Sequence, residues 1–266
     1  MHDADQQRRL ALVTGATGAI GKAIALGIAG QPGYRVVLLC RNAQKAERAV
    51  ADIVAQTGNE QVGFELVDVS SKASIEALAG RLQHPVHVLV NNAATTPRRR
   101  LETAEGVEMQ FATNVLGYFW LTQALREQLR AASPARVVNV ASYWAGNLDL
   151  DDLEFRHRAY NNNTAYRQSK QADRMLTVAL AERLRGDGIS VNACHPGDVN
   201  SGLSNELGFG GHESPAQGAR TPVWLATGDV GQQASGKYFE HMQMKRCRFG
   251  KDREAVEALY RICEAY

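Results

Sequence analysis

Thr14-Gly15-Ala16-Thr17-Gly18-Ala19-Ile20-Gly21 follows the short apolar run Leu10-Ala11-Leu12-Val13 and opens a segment with helical apolar spacing at Ile20, Ile24 and Ile28. The run is apolar at every position, as a strand buried on both faces must be. Between such a strand and a helix, small residues serve three ends: a tight turn, close approach of a pyrophosphate, and close helix–strand packing. Free backbone N–H groups and the positive end of the helix then face the phosphates. Gly15, Thr17, Gly18, Ala19, Ile20 and Gly21 are therefore read as a dinucleotide cradle.

Outward from this loop, strand and helix signals alternate along the chain. Buried strands are predicted over 34–40, 86–90, 136–141 and 189–194, an alternating strand over 61–67, and a short one over 237–240. Helices are predicted over 43–56, 70–82, 103–129, 164–185 and 254–263. Strands separated by helices fold as a doubly wound parallel sheet with helices on both faces, here an α/β Rossmann architecture of about seven strands. No internal repeat, low-complexity linker or composition break divides it, so a single domain over 1–266 is expected, with a short disordered start over 1–8. The least regular stretch, 201–218, is rich in Gly and Ser, and such stretches in compact domains are usually functional.

Composition sets limits. The 266 residues are 44% hydrophobic, enough for a sizeable core without disulfides or metal. A net charge of +2 gives no nucleic-acid footprint, and the one basic run, Arg98-Arg99-Arg100, reads as a solvated helix entry. Cys40, Cys194, Cys247 and Cys263 lack metal-ligand spacing and read as thiols of a reducing compartment. Met1 to Arg9 has no apolar core of a signal peptide, and no apolar run reaches membrane-spanning length. A cytoplasmic protein without a membrane span is expected.

Two further positions carry chemistry. The second strand ends in Leu39-Cys40-Arg41-Asn42, where a carboxylate would hold a ribose 2′-hydroxyl. A guanidinium there suits a 2′-phosphate and favours NADP(H) over NAD, the bland alternative being a surface arginine. Asp68 ends the third strand, as an acceptor for the adenine amino group, as a helix N-cap, or as both. Later comes Tyr166-Arg167-Gln168-Ser169-Lys170. On a helix, Tyr166 and Lys170 share one face about one turn apart. An ammonium beside a phenol favours the phenolate, which makes the tyrosine a candidate acid/base. Alone the pair is weak evidence in a chain with eight tyrosines.

In context it is not alone. Asn91-Asn92-Ala93-Ala94 after the fourth strand, Asn114 within Gln110 to Gly117, Ser142 after the fifth strand, Tyr166 with Lys170, and His195-Pro196-Gly197 after the sixth follow one another in the order of the short-chain dehydrogenase/reductase family, which the chain resembles over nearly its whole length. It looks like the retinol-dehydrogenase and protochlorophyllide-reductase branch in its Asn147-to-Leu153 insertion, in Cys40-Arg41-Asn42, and in Gly236-Lys237-Tyr238-Phe239. Two departures stand out: the middle glycine falls one place early, at Gly18, with Ala19 where glycine is expected, and Ser201 replaces a common threonine. A Cβ at Ala19 would resist a positive φ.

The resemblance implies an NADP(H)-dependent oxidoreductase (EC 1.1.1.-) that reversibly reduces a ketone or aldehyde to an alcohol. Tyr166 would be the acid/base. Lys170 would tune it and hold the nicotinamide ribose, Ser142 would orient the carbonyl, and Asn114 would hold a water relay. Asn42, Val69, Asn91, Ala93, Pro196, Gly197, Val199 and Ser201 would complete the cofactor contacts. Tyr143, Trp144, Tyr160 and Leu203 suggest a wall for a bulky apolar or aromatic carbonyl, with the insertion forming part of it and 201–218, through Leu207, Phe209 and Gly210-Gly211, closing over it. No metal is implied. His195 is read as structural. Reduction of a C=C bond, or a sensor that binds NADP(H) without turnover, are the alternatives. Either a homodimer through the helices at 103–129 and 164–185 or a monomer is compatible with the pattern.

Overall fold

The computed structural model describes residues 8–266; the disordered start expected over 1–8 lies, save for Arg8, outside the described residues. The chain alternates β1 (Arg9–Thr14), α1 (Ala19–Ala29), β2 (Tyr34–Cys40), α2 (Ala43–Thr57), β3 (Val62–Leu66), α3 (Lys72–Arg81) and β4 (Val88–Asn91). A π-helical turn, Phe111–Leu116, leads into α4 (Gly117–Ala124), then α5 (Arg126–Ala131), β5 (Ala135–Val140), α6 (Asn162–Arg183) and β6 (Ile189–His195). The last part comprises α7 (Gly202–Glu206), α8 (Pro215–Thr227), α9 (Asp229–Gln233), β7 (Tyr238–Glu240), β8 (Gln243–Lys245) and α10 (Arg253–Ala265).

One sheet runs β3-β2-β1-β4-β5-β6-β7-β8. Its first seven strands pair in parallel. The α/β Rossmann class is therefore as expected, but the sheet has an eighth strand, antiparallel to β7, with Phe239 opposite Met244. Three residues, all exposed, carry no apolar alternation, so β8 leaves no trace in the pattern.

Side chains of β1 alternate between the two faces. Leu10 and Leu12 join the core under α4 and α6, while Ala11 and Val13 join the core under α1 and α8. Each fully buried aliphatic of this kind stabilises the fold by about 2 kcal/mol. Because β1 continues to β2 on one side and to β4 on the other, the strand order reverses between β1 and β4. A crevice opens there at the carboxyl ends of the strands.

The helix expected over 103–129 is shorter and broken. Residues 103–107 form a turn with Gly106 at φ +80°, bracketed by the bridge Glu102–Glu108. The carboxylate of Glu108 then accepts from the N–H groups of Gln110 and Phe111 at 2.9 and 2.7 Å, which starts the helical segment there. The stretch 201–218 is also more ordered than its composition suggests. Ser201 and Ser204 form a capping box at the start of α7, and Ser214 with Gln217 does the same for α8.

Candidate active site

At the switch point a cleft of about 400 Å³ is lined by Gly15, Thr17, Gly18, Ala19, Ile20 and Gly21, by Arg41 and Asn42, by Asp68 and Val69, and by Ala93 and Ser201. These are twelve of the residues read from the sequence as cofactor contacts. Gly15 sits at φ +64°, and a Cβ there would come within 2.9 Å of Ala93 Cα. A Cβ on Gly21 would overlap the Gly15 carbonyl oxygen and Asn92. The loop thus has room for glycine alone at its tightest points. Gly18 is the N-cap of α1 at φ −84°, and Ala19 is the first helical residue. The early glycine is accommodated without a positive φ at Ala19.

Of the two asparagines at the end of β4, Asn91, expected at the cofactor, does not line the cleft. Asn91 is fully buried, and its amide donates to Thr122 Oγ1 at 3.3 Å and Asn139 Oδ1 at 2.9 Å, inside the core. Asn92 lines the cleft instead. Its Nδ2 donates to the Thr14 carbonyl at 2.9 Å, while Thr14 Oγ1 accepts from the N–H groups of Asn92 and Ala93 at 2.7 and 2.9 Å. These bonds pin the end of β1 to the end of β4. Lys45, also missed, lines the cleft beside Arg41; its N–H is capped by Asn42 Oδ1 at 2.9 Å, so the i, i+3 spacing from that cap was the available signal. Asp68 is not the cap of α3. Ser71 is, and Asp68 Oδ1 accepts from Ser70 N–H and Oγ at 3.0 and 2.7 Å.

A second cavity of about 410 Å³ shares Ile20, Ser201 and Leu203 with the cleft and is walled by Ser142, Tyr143, Trp144, Tyr166, Pro196, Gly197 and Val199. Tyr166 stands on α6, held at its start by the Asn161 cap, and Ser142 follows β5 directly. Tyr166 is 8% and Ser142 5% exposed. Burial pushes the Tyr166 phenol above its ordinary pKa, while Lys170 and the Ser142 hydroxyl pull it down. The tyrosine is therefore protonated at neutral pH, the form a proton donor needs. Lys170 lies behind it, with Nζ 5.8 Å from the centre of the Tyr166 ring.

Leu203, Leu207 and Phe209 of the segment after β6 line the second cavity. Two other expectations fail. The Tyr160 hydroxyl donates to the Pro97 carbonyl and accepts from Gln110 Nε2, both at 2.9 Å, and its ring packs edge-on against Phe155, away from the cavity. The insertion is bound elsewhere too: Leu148 and Leu153 join the core, and Gln168 of α6 donates to the Leu153 carbonyl at 2.8 Å. Tyr143 and Trp144, which precede it, form the wall instead. Asn114 sits in the π-helical turn with its amide committed to the Thr95 carbonyl, Gln110 Oε1 and Ser169 Oγ at 3.1, 3.4 and 3.2 Å. Its Oδ1 accepts from Thr95 N–H at 2.8 Å. The side chain therefore ties the loop after β4 to α6, and a water relay would have to start from the main chain. His195 lines the cavity, with Tyr143 edge-on at 4.7 Å; burial, then His241 and Arg174, lower its pKa to about 4.

A glycine cradle at a Rossmann switch point thus opens into a cavity walled by a serine and a buried tyrosine backed by a lysine. The chain belongs to the short-chain dehydrogenase family, whose signature matches residues 9–209. Human retinol dehydrogenase 13 is 36% identical over 254 residues, which span 88% of this chain and 76% of the relative. The chain thus falls in the retinol-dehydrogenase-like branch. A crystal structure of an uncharacterised protein from Mycobacterium paratuberculosis superposes with a TM-score of 0.81 at 28% identity, covering 98% of this chain and 96% of the other. The Pseudomonas aeruginosa RhlG/NADP active-site complex superposes with a TM-score of 0.71, also at 28% identity, over 91% and 98%. No described helix is long and apolar enough to cross a membrane, and no group of residues that could hold a metal ion occurs among the described residues.

Proposed function

We propose that the protein is an NADPH-dependent carbonyl reductase, reversible as an alcohol dehydrogenase, acting on a bulky apolar or aromatic ketone or aldehyde. The observation that carries this reading is the continuity of the two cavities: Ile20, Ser201 and Leu203 border both, so a dinucleotide laid along the cleft ends against the wall bearing Ser142 and Tyr166.

The cradle fits a dinucleotide because Gly15 and Gly21 leave space that a Cβ would fill. Arg41, with Lys45 beside it, supplies the positive charge that a 2′-phosphate requires, which supports NADP(H) over NAD. When bound, the nicotinamide supplies the hydride. Ser142 Oγ, oriented by the Trp144 N–H that donates to it at 3.0 Å, hydrogen-bonds the substrate oxygen through its own proton. Tyr166 transfers its phenolic proton to that oxygen as the carbonyl carbon is reduced, and the resulting phenolate is stabilised by the Lys170 ammonium. In the reverse direction the phenolate takes the alcohol proton. Pro196, Gly197 and Val199 close the site from the β6 side. Trp144, Tyr143, Leu203 and Phe209 give the second cavity its apolar character. The four cysteines are all free, which supports a reducing, cytoplasmic setting.

The test is NADPH consumption with a panel of aromatic and long-chain aldehydes and ketones, followed by product analysis. Formation of the alcohol supports the reading. A reduced C=C bond with the carbonyl intact would assign the double-bond alternative, and binding of NADPH with no turnover across the panel would assign the sensor.

A further inference from the structure

Lys170 lines neither cavity. Its ammonium donates to the Val140 carbonyl at 3.0 Å and to Asp173 Oδ2 at 2.9 Å, three residues further along α6. The pair is sealed from solvent, with side chains 2% and 0% exposed. Asp173 Oδ1 has no hydrogen-bond partner. A carboxylate with one oxygen orphaned is a costly way to pack a helix, and a buried polar group left in that state calls for a functional reason.

We propose that Asp173 is a positioning residue of the reaction: paired with Lys170, it fixes the ammonium and cancels part of its charge at Tyr166, which keeps the phenol protonated and sets the site for carbonyl reduction. The proposal rests on the reading of Tyr166 as the proton donor. Asp173 and Val140 take two of the three ammonium donors and leave one for a cofactor hydroxyl or for the phenol. The charge Tyr166 meets is that of an ion pair, not of a lone lysine.

The other groups facing the pair come from every element packed on it. They are Tyr118 of α4, whose ring centre lies 5.0 Å from Nζ, Cys194 of β6, which feels the Lys170 charge, and Cys263 of α10, which feels that of Asp173. Arg174, next in α6, is turned away from the pair, stacked over Tyr238 at 3.6 Å and donating to the Ser142 carbonyl at 3.4 Å. Burial holds Tyr118, Cys194 and Cys263 in their neutral forms. Burial also opposes the Lys170 charge, but Asp173, Tyr118 and Tyr166 together outweigh it and keep the lysine protonated. At Tyr166 the two partners act in opposite senses, Lys170 favouring the phenolate and Asp173 the phenol.

Asp173→Asn removes the charge while keeping the shape. Lys170, still donating to the Val140 carbonyl and still favoured in its charged form by Tyr118 and Tyr166, then acts on Tyr166 without the offsetting carboxylate, so the alkaline limb of kcat/KM for carbonyl reduction moves to lower pH by about one unit, and alcohol oxidation gains at neutral pH. Asp173→Ser should move it in the same direction, with NADPH fluorescence confirming that each variant is folded. A merely structural aspartate would lower the melting temperature or kcat without moving the profile. Folded variants whose profiles coincide with that of the wild type, or move upward, overturn the proposal. If Tyr166→Phe is inactive in the same assays, the proton-donor reading survives that outcome; if Tyr166→Phe turns over, both fail.

Discussion

The ring of Phe209 meets the indole of Trp144 edge-on, with centroids 5.4 Å apart, and so joins the segment after β6 to the wall after β5 across the mouth of the second cavity. Trp144 in turn lies 6.0 Å from the Tyr166 ring. One aromatic chain thus runs from a 47% exposed side chain to the proposed proton donor.

An aromatic contact of this kind is worth about 1 kcal/mol. Phe209→Ala should therefore raise KM for bulky apolar carbonyls about fivefold and leave kcat nearly unchanged, because Phe209 is remote from the reacting atoms. Steady-state kinetics with a large and a small aldehyde check this; an equal change for both would remove Phe209 from substrate recognition.

Arg41→Ala would remove the proposed charge-assisted contact with a 2′-phosphate, worth about 1.5–3 kcal/mol, so Kd for NADPH should rise at least about tenfold while that for NADH changes little. Fluorescence titration with both cofactors decides it. Equal weakening of both would mean that Arg41 does not face the 2′-phosphate.

Gly21→Ala puts a Cβ into the Gly15 carbonyl and Asn92. Backbone cannot yield as a flexible side-chain tip can, so a stability loss of about 1–3 kcal/mol is expected together with weakened NADPH binding. Thermal unfolding with and without cofactor measures both effects.

His195 is neutral in the fold, its pKa lowered from 6.5 to about 4. Below pH 6.5 the unfolded chain binds a proton that the folded one refuses. Stability due to this group is therefore present above pH 6.5 and is lost as pH falls towards 4, by about 3 kcal/mol at most. His195→Gln should flatten the melting temperature between those limits; a variant as acid-sensitive as the wild type would contradict this.

Much of this was legible in the chain. Buried parallel strands read as unbroken apolar runs, so the sheet and its ligand-facing strand ends followed from Leu10 to Val13 and its counterparts. Ser142 was placed by the end of β5, and Tyr166 by its spacing from Lys170 on a helix. What stayed hidden depends on orientation. Neighbouring side chains on a strand face opposite ways, so Asn91 and Asn92 cannot be told apart until the register of β4 is known. Tyr160 looked like a cavity wall because its loop was assumed to lie on the cavity, whereas Leu148, Leu153 and the contacts of Gln168 draw that loop onto α6. The Lys170–Asp173 spacing was visible, but on a solvated helix it would be an ordinary surface pair. Only burial gives it weight.

The central claim is that Tyr166 delivers the proton, and single-turnover reduction by Tyr166→Phe tests it most directly. The variant should bind NADPH as the wild type does, since the ring and its packing remain, while turnover of an aldehyde that the wild type reduces falls by at least about a thousandfold. Turnover within about tenfold of the wild type, with NADPH binding intact, would contradict it.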